Sequence, residues 1–229
     1  MLFRSEILIN SYQYICLSGA PGSGKTTALS VLASRLAETE TKMLPIMIPA
    51  DHLLNTESTA VDLIFETIAA SVHGTSVQSV QEILTQAAQN SRLVLIIEDL
   101  DELSKADFDK VVERLREIQS ALPNARIVTT SGVFYTGMLE ESGFFVFTLA
   151  PWNREQKTSF IRLWSAAFYE ASRSSSQEYF TTLKLRLDKA VLWLRQEEVK
   201  LSPMDVTIKG WLSLANSRKY RQKEKLVEC

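Results

Sequence analysis

The run Gly19-Ala20-Pro21-Gly22-Ser23-Gly24-Lys25-Thr26-Thr27 carries the clearest chemistry in this sequence of 229 residues. Glycine, four residues and then Gly-Lys-Thr is the spacing that grips phosphate. Glycines let successive backbone N–H groups close around phosphate oxygens, and the N-terminus of a following helix adds its positive dipole end. Lys25 would reach β- and γ-phosphates, and the Thr26 hydroxyl would ligate Mg²⁺. Three of the chain's eight glycines fall in the six residues from 19 to 24, so an ordinary turn is a poor account of them.

A second concentration, Glu98, Asp99, Asp101 and Glu102, follows directly on the most hydrophobic run of the chain, Leu93-Val94-Leu95-Ile96-Ile97. Crowded carboxylates repel one another, and a divalent cation offsets that cost. Glu98 and Asp99 are both candidates to hold the metal, and Asp101 and Glu102 to orient or deprotonate an attacking water. An acid cluster alone reads as an exposed loop. With a phosphate loop upstream, the metal reading is the better one. Thr129, Thr130 and Ser131 close another apolar run, where Thr130 could sense a γ-phosphate if that strand adjoins the phosphate loop.

These groups need elements to position them, and short apolar runs alternating with longer helical periods give the pattern of an α/β sheet protein. Tyr14 to Ser18 reads as a buried strand, followed by a helix over 26–37 with Leu29, Leu32 and Leu36 on one face. Leu44 to Ile48 reads as an edge strand because it is bracketed by Pro45 and Pro49. Helices are predicted through Val61 to Val72, over 77–88 and through Phe108 to Ile118, with further strands at 93–97, 126–130 and 144–149. The run at 93–97 belongs inside the sheet, covered on both faces. The metal-holding carboxylates are then expected on a strand neighbouring that of the phosphate loop. Ligands of open α/β sheets bind outside the carboxyl ends of the strands, where both groups fall. From Pro151 the pattern changes to helices near 153–169, 177–197 and 204–216. The expected division is an α/β domain over 1–150 and a helical lid over 151–229.

Composition removes several classes. Twenty-five Lys and Arg against 27 Asp and Glu leave a net charge of -2, which excludes a polybasic protein. Cys16 and Cys229 lie at opposite ends, which excludes a disulfide scaffold and points to a reducing compartment. No apolar run approaches the ~20 residues of a membrane helix, and the first residues lack a secretory pattern. A cytoplasmic location without membrane contact is expected. His52 and His73 have no partners at zinc spacing. The four tryptophans read as core of the helical region. Arg218 to Glu228, five basic against two acidic residues, reads as a solvated end, with nucleic-acid contact the lesser reading.

The order of the phosphate loop, Leu44-Pro45-Ile46-Met47-Ile48-Pro49, Leu95-Ile96-Ile97-Glu98-Asp99-Leu100-Asp101-Glu102-Leu103, Arg126-Ile127-Val128-Thr129-Thr130-Ser131 and Phe147-Thr148-Leu149-Ala150-Pro151-Trp152 resembles the NACHT branch of the STAND NTPases. The Leu-Asp-Glu-Leu after the acidic strand points to that branch. The resemblance implies a three-layer P-loop NTPase fold, with a five-stranded parallel sheet followed by a small helical lid. It implies an ATP/ADP switch that turns over slowly with Mg²⁺ and associates with protein partners or itself in the ATP state. It also implies an adenine contact from Pro203. Two departures stand out. Such proteins usually carry Asp where this chain has Glu98, with a small residue at 99. Their sensing strand usually ends Thr-Ser-Arg, whereas Thr130-Ser131 is followed here by Gly132. Two alternatives remain open: a nucleotide-stabilised interaction module that does not hydrolyse, and an AAA+-type DNA-associated ATPase. The run of acids argues against a small-molecule kinase.

Overall fold

The computed structural model describes residues 9–38, 43–55, 57–171 and 201–214. They fall into two compact units, one ending at Leu149 and one beginning at Ala150. The first contains strands β1 (Tyr14–Ser18), β2 (Leu44–Pro49), β3 (Leu93–Glu98), β4 (Arg126–Ser131) and β5 (Phe145–Thr148). All five are parallel, in the order β2-β3-β4-β1-β5. The phosphate-loop strand β1 thus lies between β4 and β5, and proline-bracketed β2 takes the edge, as expected.

Helices cover both faces. Helix α1 (Lys25–Glu38) lies on one face, where Leu29, Leu32 and Leu36 pack with Ile15, Leu17, Val94, Ile96 and Val128. The other face is larger and is covered by α2 (Ala60–Ser71), α3 (Val77–Gln89), α4 (Lys105–Ala121) and the short α5 (Thr136–Glu141). There Cys16, Leu95, Ile97 and Ile127 meet Phe108, Val111, Val112, Leu115 and Ile118. Because strand side chains alternate, even residues of β3 and β4 face α1 and odd residues face α4. The run Leu93 to Ile97 is buried on both sides, which is why it reads without alternation.

Three of these helices begin on a hydroxyl cap. Thr59, Ser76 and Ser104 accept the backbone N–H of Asp62, Ser79 and Asp107 at 3.1 to 3.2 Å. Such caps stabilise a helix start by about 1 kcal/mol.

The second unit contains α6 (Arg154–Ala171) and α7 (Pro203–Leu214). Ile161, Leu201 and Val206 form its small core, and Trp152 packs against Phe160 with tilted rings, their centroids 5.0 Å apart. A Cβ on Gly210 would meet Ile161 Cδ1 at 2.6 Å, so the glycine allows close approach of α7 to α6. With Val206 and Gly210 turned inward, Trp211 lies 50% exposed, against its expected place in the core. The helix predicted over 177–197, with Trp193, lies outside the described residues.

Candidate functional site

Strand β1 ends at Ser18, and the chain turns into the loop that precedes α1. The N–H of Gly19 donates to Ser131 O of β4 at 3.3 Å, while Leu149 N–H after β5 donates to Ser18 O at 2.8 Å. The loop thus springs from between two neighbours that fix its base. Gly22 and Gly24 adopt φ of 72° and 92°, conformations open to glycine. The Gly24 carbonyl then accepts the N–H of Ala28 at 2.9 Å, the first bond of α1. At Gly19 a Cβ would lie 2.6 Å from Ser23 Oγ, so a larger residue there would make that hydroxyl turn away. That hydroxyl is itself buried with no hydrogen-bond partner among the described residues, a cost of about 1–3 kcal/mol that an acceptor in the loop would relieve.

Lys25 opens α1 and is 7% exposed. Its Nζ donates to Gly19 O at 2.9 Å and Ala20 O at 3.3 Å, and pairs with Asp101 Oδ2 at 3.0 Å. Thr26 and Thr27 follow with exposed side chains at the start of the helix, and Ala20 and Pro21 are exposed on the loop.

The acids do not sit on a strand next to β1, contrary to the expectation from sequence. Strand β4 lies between β3 and β1. It pairs with both, Ile97 with Thr129 on one side and Leu17 with Thr130 on the other. Two apolar runs of similar length offer no signal for their spatial order. The consequence is useful, because Thr130, buried at 2% exposure, stands on the α1 face between the phosphate loop and β3. Thr129 on the opposite face donates to Ile97 O at 2.9 Å and ties the two strands together.

Glu98 ends β3, and alternation places it on the α1 face beside Thr130. Burial, reinforced by Asp99, raises its carboxyl above the usual range. Asp99 adopts a left-handed backbone, φ 64° and ψ 26°. Aspartate tolerates that conformation better than most residues. The turn it makes starts a 3₁₀ turn, Leu100–Glu102, closed by Glu102 N–H to Asp99 O at 3.1 Å. Leu100 is fully buried, anchoring this turn, while Asp101 is directed to Lys25 and Glu102 is exposed. Gly132 follows β4, and a Cβ on it would lie 3.7 Å from that of Asp101. Sequence reasoning grouped Asp101 with Glu102; the structure separates them, and only the turn at Asp99, which periodicity does not reveal, explains why.

Among the described residues no three His, Cys, Asp or Glu side chains converge as a metal-binding group. Pro203 is the first residue of α7, where Ser202 Oγ accepts Asp205 N–H at 3.1 Å and Ser202 N–H donates to Asp205 Oδ2 at 2.9 Å. Its local role is therefore a helix start.

The model of the ATPase family associated with various cellular activities (AAA) matches residues 15–135. The chain belongs to the AAA ATPases. The matched span runs from β1 through the phosphate loop and the acidic turn to the residues after β4. Solved structures with this fold include the replication initiator DnaA bound to AMPPCP and single-stranded DNA, with TM-score 0.53 at 15% identity over 96% of this chain and 62% of that one. A DNA replication initiation factor gives 0.52 at 13% identity over 96% and 62%. PCH-2 of C. elegans gives 0.51 at 17% over 95% and 58%. This AAA chain thus spans 58% to 62% of the length of those proteins, whose likeness is one of fold. A search of curated proteins returned no match. Among the described residues no helix is long and apolar enough to cross a membrane.

Proposed function

We propose that this chain is a Mg²⁺-dependent, ATP-binding molecular switch that hydrolyses slowly, of the NACHT branch of the STAND NTPases. Its nucleotide state would control the position of a helical lid over 151–229 and assembly with protein partners or further copies of itself. The observation that carries the reading is the order of groups along three adjoining strands: the loop with Lys25 after β1, Thr130 on β4 and Glu98 on β3.

In this reading the amides of Gly19 to Gly24 and Thr26, together with Lys25, hold the phosphates of ATP or ADP. Thr26 and Glu98 would hold Mg²⁺. A hydroxyl and a carboxylate are the hard oxygen donors the ion takes, and it keeps several waters, so a cage of three acids is not needed. Bound there, the ion neutralises charge on the phosphate oxygens. Glu98, at the end of β3 on the α1 face beside Thr130, is favoured over Asp99 for this role. Thr130 is the candidate γ-phosphate sensor, and exposed Glu102 the candidate to orient the attacking water. Pro203 is the candidate adenine contact. Gly132, standing where the resembling family carries arginine, accounts for low turnover. The test is light scattering with ADP and with a non-hydrolysable ATP analogue plus Mg²⁺, alongside phosphate release. Assembly with the analogue alone and slow release abolished by Glu102→Gln are expected; an unchanged mass would reduce the protein to a passive nucleotide-binding module.

A DNA-associated AAA+ ATPase is the second reading, favoured by the DnaA structure bound to single-stranded DNA and by the basic stretch Arg218 to Glu228. Single-stranded oligonucleotide that binds at moderate salt and stimulates hydrolysis would put this reading first.

A further inference from the structure

We propose that Asp101 sets the affinity of the phosphate site: its carboxylate competes with bound polyphosphate for Lys25, and its role is to weaken nucleotide binding rather than to perform hydrolysis. This inference rests on the nucleotide-binding reading and deepens it. An ammonium group has three N–H donors. Lys25 meets three acceptors, Gly19 O at 2.9 Å, Ala20 O at 3.3 Å and Asp101 Oδ2 at 3.0 Å. A phosphate oxygen therefore gains Lys25 only when one of these contacts is given up. Asp101 is its one anionic partner among the described residues, and it opposes an arriving phosphate whether or not it is the contact released.

The pair is well placed to matter. Lys25 and Asp101 side chains are 7% and 21% exposed, so water and salt screen them less than a surface pair. The carboxylate is also held where it is. Buried Leu100 anchors its turn, Asp99 reverses the chain through a left-handed conformation, and Gly132 lies against its Cβ. Glu102, the other acid of this turn, is exposed and has no such pairing with Lys25. The two acids treated alike by the sequence pattern thus separate into one that restrains the phosphate-binding lysine and one free for solvent.

Loss of the one charge-assisted contact that an arriving phosphate must displace or oppose should tighten polyphosphate binding roughly tenfold. The experiment is calorimetric titration of the full chain with ATP, ADP and inorganic tripolyphosphate, each in EDTA and in Mg²⁺. The proteins compared are wild type, Asp101→Asn, Asp101→Ser, Glu102→Gln and Lys25→Ala. Asp101→Asn and Asp101→Ser should bind all three ligands about tenfold more tightly in both buffers, and Glu102→Gln should not. The serine variant also removes the side-chain carbonyl, which covers a residual contact or a folding defect in the asparagine variant. Unchanged or weaker binding in both Asp101 variants, with wild type binding and Lys25→Ala failing, overturns the inference and leaves the nucleotide reading intact. A loss confined to Mg²⁺ also overturns it, by placing Asp101 at the metal. Failure of wild type and every variant to bind any of the ligands removes the nucleotide reading itself.

Discussion

Replacing Gly24 by alanine separates the backbone of the phosphate loop from its packing. A Cβ built on Gly24 meets nothing within 4 Å, yet φ is +92°, so the substitution adds conformational strain without a clash. The Gly24 carbonyl accepts the Ala28 N–H at 2.9 Å, so the strain cannot relax without loosening the start of α1. A non-glycine residue at positive φ costs about 1–2 kcal/mol. Stiffening of the unfolded chain returns about 0.4–1 kcal/mol. The net loss is about 1 kcal/mol, which lowers Tm by roughly 2–4 °C in a protein of this size. Gly132→Ala is the control, because Gly132 is not at positive φ and its Cβ would meet Asp101 and Tyr135 at ordinary contact distances of 3.7 and 3.9 Å. Its change should stay within about 0.5 kcal/mol. Urea denaturation followed by far-UV circular dichroism measures both. Equal losses, or greater stability in Gly24→Ala, would refute the assignment of the loop's conformation to glycine.

Three further outcomes follow from named residues. Asp99→Gly should match or exceed wild-type stability and keep Mg²⁺-dependent ATP binding, whereas Asp99→Val, branched at a left-handed position, should lose about 1–2 kcal/mol; loss of metal dependence in Asp99→Gly would return Asp99 to the metal. The Cys16 thiol is pushed up to about 12 by burial and then by Asp101, so in a Cys229→Ser background a thiol reagent at pH 8 should label Cys16 only as urea unfolds the chain, and rapid labelling in native buffer would contradict its burial. Glu98 has a raised folded-state pKa, so its contribution to stability is full below the ordinary glutamate range and is lost as pH rises through the raised value; the Tm of Glu98→Gln should therefore gain on wild type across that window, and parallel pH profiles would show that burial does not perturb Glu98.

Much of this architecture was legible because buried parallel strands read as uninterrupted apolar runs. Tyr14 to Ser18 and Leu93 to Ile97 needed no further information, and the prolines of β2 marked its edge position. The phosphate loop was legible for a different reason, since its glycines meet a backbone demand that few other residues satisfy. What the chain hid was relational. Nothing in Arg126 to Ser131 announces that β4 inserts between β1 and β3, because strand order is decided by crossovers and packing, not by local pattern. The turn at Asp99 was hidden too, as an acid in a run of acids suggests charge before conformation. Helix α5 buries only Leu139 fully and leaves too short a period to detect. The Ser/Thr caps were present as Thr59-x-x-Asp62 and Ser104-x-x-Asp107, a signal that marks helix starts better than apolar spacing does.

Every role proposed for these residues requires that the loop between β1 and α1 bind polyphosphate. Equilibrium dialysis with radiolabelled ATP over wild type and Lys25→Ala measures that directly. One ATP retained per wild-type chain, with retention lost in Lys25→Ala although its circular dichroism is unchanged, is the predicted result. Equal retention by both proteins, or none by wild type, would contradict it.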